Sequence, residues 1–307
     1  MPIFSTELPE VAPKQPQVNI AVGAYVVAVG LNTSTSGLMP NGAFSVMDTT
    51  PETARAFTGL DASTSPPTPF QSGAGCAYGG YAWVSSPGGN TLYRIDPATG
   101  GVTSIAMGSV FAYNAVARVS TAGGYICVFS SGLTTTRLYQ VSTAAVSTVT
   151  TTGLTGTVGT ASDGTYVYAR TIISGVTGIR RFDPSAGTFT LIGTTTGSVP
   201  ANQGVVHAGS VWYAASDIVL AVNLTTGIQT SYSHTGVAGG NYSSATDLVL
   251  HDDGYMYGYG SASDVLIVFD PATGAFVKET LSPTRGRRYS PVSCGGKLWI
   301  PSGEPLT

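Results

Sequence analysis

Side chains able to do acid–base or metal chemistry are few in this sequence and seldom adjacent. His251 is followed by Asp252 and Asp253, and imidazole and carboxylate groups of this kind can ligate a metal ion. His207 occupies a matching position ahead of an earlier aromatic segment, and His234 stands alone in a Ser/Thr-rich stretch. Because no third and fourth ligand is in view, the sequence predicts a solvated turn at His251 and no metal site.

Motifs for nucleophilic or phosphate chemistry are missing from the sequence. It contains no Gly-x-Ser-x-Gly, no His-Glu-x-x-His and no phosphate loop. Paired carboxylates for hydrolysis would have to come from distant residues, which a sequence cannot pair. The cysteines, Cys76, Cys127 and Cys294, are far apart and odd in number, so we expect buried thiols and no disulfide framework. We therefore expect no catalytic residue, no metal and no cofactor.

Composition sets broad limits on function. Charged residues make up 9 % of the 307 residues, against about 25 % in an ordinary soluble domain. The net charge of −3 gives no reason to expect nucleic acid or an anionic membrane as a partner. The N-terminus shows no signal peptide, and the longest apolar run, Ile20 to Leu31, is too short to span a bilayer. This composition is typical of extracellular or virion-surface β proteins.

One short pattern recurs along the chain and organises it. A run of β-branched and aromatic residues precedes the motif Asp-Pro-x-x-Gly, or a degenerate form of it, and a second run of strand-forming residues follows. The clear copies are TLYRIDPATGG from Thr91, GIRRFDPSAGT from Gly178 and DVLIVFDPATGA from Asp264, and looser copies start at Arg137 and Asp217. Pro sets φ for a type I turn, Asp caps it and Gly takes a left-handed conformation, so each copy predicts a β-hairpin. We expect positive φ at the closing glycines, Gly100, Gly187 and Gly274.

A second pattern alternates with these hairpins. It is a Gly or Asp turn followed by an aromatic strand, as in GGYAWVSS from Gly79 and DDGYMYGYGS from Asp252. Counting a turn at Asp48, the hairpins recur every 44 residues or so, about one propeller blade. The sequence therefore predicts an all-β fold, a single β-propeller of four-stranded antiparallel blades. We expect seven blades, with six as the alternative.

The two ends of the chain are predicted to meet. Residues 1–17 are expected to form a Pro-rich N-terminal arm, and residues 18–307 the β-propeller domain. A propeller must close into a ring, because open blades would expose strand edges. We expect Lys297 to Ser302 to lie in the inner half of the closing blade, and Ile3 to Thr6 to add as its outer strand.

The repeated units resemble a known superfamily. YVYAR…IRRFDPSAGTFTLI and YMYGYG…LIVFDPATGAFVKETL resemble blades of the broad YVTN-, kelch- and quinoprotein-like propellers, over residues 18–302. The kelch Gly-Gly doublet is present only in part, and the tryptophan-docking signature of quinoproteins is not evident. The resemblance implies fold rather than function, because propellers include enzymes, glycan binders and scaffolds. With Met1 intact and no export signal, the composition resembles that of a tailed-phage virion protein.

Propeller topology supplies a site prediction. The loops that lead into the innermost strands gather at one mouth of the central channel. Aromatic rings there suit stacking on sugars, amides suit hydroxyl groups, and an Arg cluster suits a carboxylate or sulfate. The candidate ligand-binding residues of this loop face are Tyr113, Asn114, Asn202, Gln203, Asn241, Tyr242, Arg287, Arg288 and Tyr289.

The sparse chemistry favours a protein that is not an enzyme. We expect a non-catalytic structural or receptor-facing module of a virion, from a phage tail, that contacts protein or glycan through its loop face. Its partners would be other virion proteins and a host-surface glycan or protein, with no nucleic acid and no membrane insertion. The alternative location is extracellular. The alternative functions are a secreted carbohydrate-binding propeller and an extracellular propeller lyase or glycosidase.

Overall fold

The computed structural model consists of β-strands and the turns that join them. No helix in the described part of the chain has the length and apolarity that crossing a bilayer requires. The structure describes residues 4–5, 16–30, 43–49, 53–58, 75–85, 90–108, 117–130, 134–195, 203–214, 218–233, 247–259, 265–280 and 291–299.

The strands form sheets in which neighbours in sequence pair antiparallel. The first strands of the sheets are β2 (Pro16–Val22), β6 (Gly75–Tyr78), β10 (Ala117–Ala122), β14 (Leu154–Ser162), β18 (Val205–His207), β22 (Leu248–Leu250) and β26 (Val292–Cys294). The second strands are β3 (Tyr25–Gly30), β7 (Tyr81–Ser85), β11 (Tyr125–Ser130), β15 (Val167–Ile173), β19 (Ser210–Ala214), β23 (Met256–Tyr259) and β27 (Lys297–Trp299).

Third and fourth strands complete every described sheet except the one at the C-terminal end. The third strands are β4 (Ala43–Asp48), β8 (Thr91–Ile95), β12 (Thr135–Gln140), β16 (Val176–Asp183), β20 (Ile218–Asn223) and β24 (Val265–Asp270). The fourth strands are β5 (Thr53–Thr58), β9 (Val102–Ala106), β13 (Ala145–Thr150), β17 (Thr188–Thr194), β21 (Gln229–Ser233) and β25 (Ala275–Thr280). In the C-terminal sheet, β1 (Phe4–Ser5) lies parallel to β27.

The first strands form a closed ring. Each contacts the first strand of the next sheet, from β2 through β22 to β26, and β26 contacts β2 again. At this junction the thiol of Cys294 donates to the carbonyl oxygens of Gly23 and Tyr25, at 3.2 and 3.4 Å. The C-terminal sheet is therefore bonded directly to the first one.

Strand β1 ties the N-terminal segment to the same junction. Phe4 pairs with Leu298, and Ser5 pairs with Trp299. This agrees with the predicted addition of residues 3–6 to the closing sheet, although β1 lies next to the second strand of that sheet. Residues 6–15 lie outside the described residues, so the division of the chain at residue 17 stays a prediction.

The predicted all-β fold of four-stranded antiparallel sheets is confirmed. Within the described residues, six sheets have four strands and the closing sheet has three. The blade count of seven, or the alternative of six, stays a prediction.

The Asp-Pro turns form as the sequence predicts. Asp96 Oδ1 accepts the backbone N–H of Ala98 at 2.9 Å, and Gly100 N–H donates to the Asp96 carbonyl at 2.8 Å. The closing glycines have positive φ, 74° at Gly100, 65° at Gly187 and 74° at Gly274. In the looser copy that starts at Arg137, Ala144 has the same conformation, with φ of 56°. The repeated pattern was therefore a reliable guide to local structure.

The core lies between neighbouring sheets. Ile20 and Val46 of the first sheet share one buried cluster with Ala82 of the second. Between the third and fourth sheets, the rings of Phe129 and Phe182 meet edge to face with centroids 5.5 Å apart. Because side chains alternate along a strand, each sheet can pack one face against the preceding sheet and the other face against the next one. This packing holds the first strands in place around the centre.

Candidate functional site

The first strands surround a central cavity of about 410 Å³. Apolar side chains such as Ile20 and Leu248 form part of its wall. The polar side chains that line it are Ser120, Thr121, Ser162, Gln203, Asp247 and Ser293. A cavity of this size, partly apolar and with a few converging polar groups, has the character of a small-molecule site.

The polar groups lie toward different mouths of this central channel. Gln203 and Asp247 come just before β18 and β22, at the mouth where the first strands begin, which we call the N-terminal mouth. Ser162 ends β14 and His251 directly follows β22, so both lie toward the opposite mouth. A strand rises about 3.3 Å per residue, so the Cα atoms of Asp247 and His251 are at most about 13 Å apart.

A hydrogen bond joins His251 to Ser293 across two sheets. The ring Nδ1 lies 2.8 Å from Ser293 Oγ, between residues 42 positions apart in sequence. His251 is only 5 % exposed, whereas Ser293 lines the channel. In the tautomer with a bare Nδ1, the Ser293 hydroxyl donates to the ring. Ser293 therefore presents a hydroxyl group to the channel. The imidazole of His251, to which that hydroxyl is bonded, can accept its proton.

A long turn carries His251 to this position. The turn from β26 to β27 has two residues, whereas the turn from β22 to β23 spans residues 251–255. Within the longer turn, His251 N–H donates to the Tyr255 carbonyl and Gly254 N–H donates to the His251 carbonyl, each at 3.0 Å. The turn is therefore closed on itself, and its first residue lies beside the neighbouring strand β26.

Tyr257 packs against the imidazole of His251, and Asp253 holds Tyr257. The Tyr257 ring lies edge-on to His251, with centroids 5.8 Å apart and an interplanar angle of 83°. Its hydroxyl donates to Asp253 Oδ2 at 2.6 Å, and Asp253 Oδ1 accepts the N–H of Tyr255 at 3.0 Å. Asp253 therefore fixes the Tyr257 ring, and that ring packs against one side of the imidazole.

Asp247 is a buried carboxylate on the channel wall. It is 6 % exposed, and its Oδ1 accepts the backbone N–H of Gln203 at 2.8 Å. The backbone N–H of Leu248 in turn donates to the Gln203 carbonyl at 3.0 Å. These bonds tie the start of β22 to the start of β18 and hold the carboxylate at the N-terminal mouth.

Other polar or nucleophilic groups of the channel are less available. The Ser162 hydroxyl donates to the Thr121 carbonyl and accepts the N–H of Gly164 at 3.0 Å. Burial raises the pKa of the Cys76 thiol far above its ordinary value, so this thiol is not a ready nucleophile. Among the described residues of the channel wall, Ser293 is the hydroxyl for which a hydrogen bond to an imidazole is observed.

Metal ligands do not cluster in the part of the chain that the structure describes. It holds no group of three or more His, Cys, Asp and Glu side chains placed to bind an ion. The three cysteines are buried thiols, as predicted. The expectations of no metal and no cofactor stay predictions.

One predicted site residue reaches the channel. Gln203 lines it, at the N-terminal mouth expected for the loop face. The other eight candidates lie outside the described residues: Tyr113, Asn114, Asn202, Asn241, Tyr242, Arg287, Arg288 and Tyr289. The prediction that this loop face binds a ligand is therefore untested.

His251 corrects an expectation from the sequence. It does not lie in a solvated turn, although Asp252 and Asp253 beside it are exposed. His207, in the matching position, is half-buried, and its carbonyl accepts the indole N–H of Trp212 at 3.1 Å. The two histidines are therefore not equivalent.

Sequence reasoning missed Ser293 and Asp247. Neither belongs to a motif, and both gain their role from strands that are neighbours only in the folded ring. The usable signal was the turn at residues 251–255, which is longer than its counterparts and begins with a histidine.

The fold is that of known propellers. No protein-family model matches the chain, and no curated protein matches it by sequence. Among solved structures, virginiamycin B lyase from Staphylococcus aureus has a TM-score of 0.71 at 8 % identity, over 95 % of this chain and 93 % of that one. A streptogramin B lyase has a TM-score of 0.68 at 11 % identity, over 98 % and 93 %. At such identity the likeness shows the fold, a β-propeller.

A third solved structure is an inactive variant of such a lyase. It is a catalytically inactive histidine-to-alanine form of the virginiamycin B lyase from Staphylococcus aureus with Quinupristin. Its TM-score is 0.70 at 8 % identity, over 99 % of this chain and 96 % of that one.

These structures correct the functional expectation from the sequence. The virginiamycin and streptogramin B lyases are enzymes, and none of the three structures is a phage or virion protein. The expectations of a non-catalytic virion module and of no enzyme activity are therefore wrong. The expected partners and location are untested.

Proposed function

We propose that this protein is an enzyme of the lyase class, which eliminates a leaving group from a small substrate held in the central channel. The observation that carries the proposal is the 2.8 Å hydrogen bond between His251 and the channel-lining Ser293. The similarity in fold to streptogramin B lyases supports it. So does the inactivity of a lyase variant that has lost a histidine.

Ser293 is the group that meets the substrate, and His251 acts through it. Imidazole is the side chain that most often serves as a general base, but His251 is too buried to reach far into the channel. Ser293 Oγ takes a proton from a substrate carbon while its own hydroxyl proton passes to His251 Nδ1. Tyr257, edge-on to the ring, keeps Nδ1 directed at Ser293 during the transfer.

The elimination balances without another reagent. The electron pair of the broken C–H bond becomes the second bond of a carbon–carbon double bond. The leaving group departs from the adjacent carbon with the electron pair of its own bond. The proton held by His251 returns through Ser293 to the leaving group, which restores the neutral imidazole. A carbon next to a carbonyl is the substrate position acidic enough for this chemistry.

The first substrates to test follow from the chemistry and from the similar structures. Quinupristin is one probe, because a propeller of similar fold contains it. The second set is small esters in which the oxygen leaving group is β to a carbonyl, because they need the same proton abstraction and fit a cavity of about 410 Å³.

Product analysis in heavy-oxygen water tests the proposal. Elimination yields an alkene and incorporates no oxygen from water, whereas hydrolysis does incorporate it. We expect His251→Asn and Ser293→Ala each to lower kcat/KM by about 100-fold or more, the usual contribution of a general base. His207→Asn is the matched control, because the His207 ring is outside the pair, and it should keep full activity. Circular dichroism establishes that all three variants are folded.

Three results would overturn the proposal. Labelled oxygen in the product would show hydrolysis instead of elimination. Turnover that survives in both His251→Asn and Ser293→Ala would show that the pair is not catalytic. No turnover of any probe by the unaltered protein would contradict the proposed activity. An enzyme of this kind fits the extracellular alternative for location, which stays a prediction.

A further inference from the structure

Asp247 is a charged group that the proposed elimination does not use. Its carboxylate is 6 % exposed, lines the channel and accepts one hydrogen bond, from Gln203 N–H, among the described residues. Removing a carboxylate from water is costly unless other groups compensate for the lost hydration. No cationic side chain in the described part of the chain contacts it. The negative charge of Asp247 is therefore placed where it could form an ion pair with a cationic ligand in the channel.

We propose that Asp247 binds an ammonium group of the substrate and thereby selects cationic substrates for the channel. This inference rests on the proposed function, because it names the substrate class of the same site. The contact is a charge-assisted hydrogen bond, which is stronger than one between neutral groups. Gln203 N–H bonds to Oδ1, and the carboxylate as a whole lines the channel, where an ammonium group could reach it.

An organic ammonium suits this site better than a metal ion. Calcium takes six to eight oxygen ligands, and magnesium takes about six in an octahedral set, with one or two carboxylates and several waters. Asp247 belongs to no group of three or more metal-binding side chains within the described residues. An ammonium group needs one carboxylate and a few hydrogen-bond acceptors, which side chains or water can supply.

The geometry also limits the substrate length. The Cα atoms of Asp247 and His251, four residues apart, are at most about 13 Å apart. Ser293, the group that meets the substrate, is bonded to His251. The ammonium group and the carbon that loses its proton should therefore be separated by on the order of 10 Å in the bound substrate.

Calorimetric binding of a matched ligand set to the full chain tests this inference. The probes are benzylammonium, its neutral N-acetyl derivative, and benzoate. We expect benzylammonium to bind about ten-fold or more tightly than the neutral ligand, and benzoate most weakly. Asp247→Asn keeps an oxygen for Gln203 N–H but removes the charge, so it should abolish this preference. Asp252→Asn removes the same charge from an exposed position near the other mouth and should leave the preference intact.

A second measurement uses the unaltered chain and does not depend on the folding of a variant. The amide resonance of Gln203, bonded to Asp247, should shift on adding benzylammonium and not on adding the N-acetyl derivative. The inference is overturned if benzylammonium has no preference, if the preference survives Asp247→Asn, or if Mg²⁺ alone displaces it at equal concentration. These readouts need no turnover. A failed elimination assay with intact cation preference, or the reverse, therefore separates the two proposals.

Discussion

The phenolic hydroxyl of Tyr213 donates a hydrogen bond to the backbone carbonyl of Tyr168 at 2.9 Å, and so joins β19 to β15 of the preceding sheet. Tyr213 is completely buried, and that burial raises the pKa of its phenol well above the ordinary value. The group therefore stays a neutral donor at physiological pH. Neighbouring sheets are held by polar bonds as well as by apolar packing.

Tyr213→Phe should lower the free energy of unfolding by about 1 to 2 kcal/mol, because a buried hydrogen bond between two sheets is lost. Urea denaturation measures the change. Tyr255→Phe is the control, since the Tyr255 side chain is 40 % exposed, and it should change stability little. Equal losses in the two variants would contradict the assigned role of the bond.

Gly227 and Gly209 lie in the same sheet, and alanine substitutions at the two positions distinguish the cost of backbone strain from the cost of a steric collision. Both have positive φ, 70° and 73°, so alanine at either is strained by about 1 kcal/mol. A Cβ at Gly227 would also collide with the Ile192 carbonyl of the preceding sheet, whereas one at Gly209 meets nothing within 4 Å. Gly227→Ala should therefore cost at least about 1 kcal/mol more than Gly209→Ala in urea denaturation. The same cost in both would refute this close approach of two sheets.

The turn carboxylates predict how stability depends on pH. The pKa values of Asp183 and Asp270 lie below the ordinary 3.8, first because the hydroxyls of Ser185 and Thr273 donate to them. A depressed folded-state pKa contributes stability that is present above the unfolded value and is lost as pH falls through the folded value. The double variant Asp183→Asn with Asp270→Asn should therefore lose less stability than the native protein between about pH 4 and pH 2.

Asparagine is a conservative replacement at these turns. Asn223 already caps the equivalent turn, accepting the N–H groups of Thr225 and Thr226 at 3.0 and 2.8 Å. At neutral pH the double variant should stay folded but melt somewhat below the native protein, because asparagine keeps the hydrogen bonds and loses the contribution of the charge. A variant with the native pH profile would show that these carboxylates do not contribute to acid unfolding.

Deleting residues 1–8 should lower the melting temperature of the isolated protein. The deletion removes β1, which pairs with Leu298 and Trp299 in the closing sheet, and leaves an edge of β27 unpaired. Deleting residues 1–3 keeps the paired residues Phe4 and Ser5, so this shorter deletion should melt near the native temperature. If both deletions melt alike, strand β1 does not stabilise the closure.

Much of the local structure could be predicted from the sequence. The turn at Asp96 depends on a carboxylate and on a glycine four residues later, and both are visible in the letters of the chain. Repetition of that turn, with aromatic strands between copies, predicts sheets of four strands. These features depend on interactions between residues close together in sequence, so they can be predicted from the sequence alone.

The candidate site could not be predicted in the same way. His251 and Ser293 are 42 residues apart in sequence, and Asp247 is hydrogen-bonded to Gln203, which is 44 residues away. No local pattern links these residues, because strands in different sheets become neighbours only when the ring closes. The sequence by itself determined the strands, the turns and the repeat. Only the tertiary structure decided that a histidine from a long turn is buried against a serine and that a carboxylate lines the channel, since burial and pairing arise from packing between sheets.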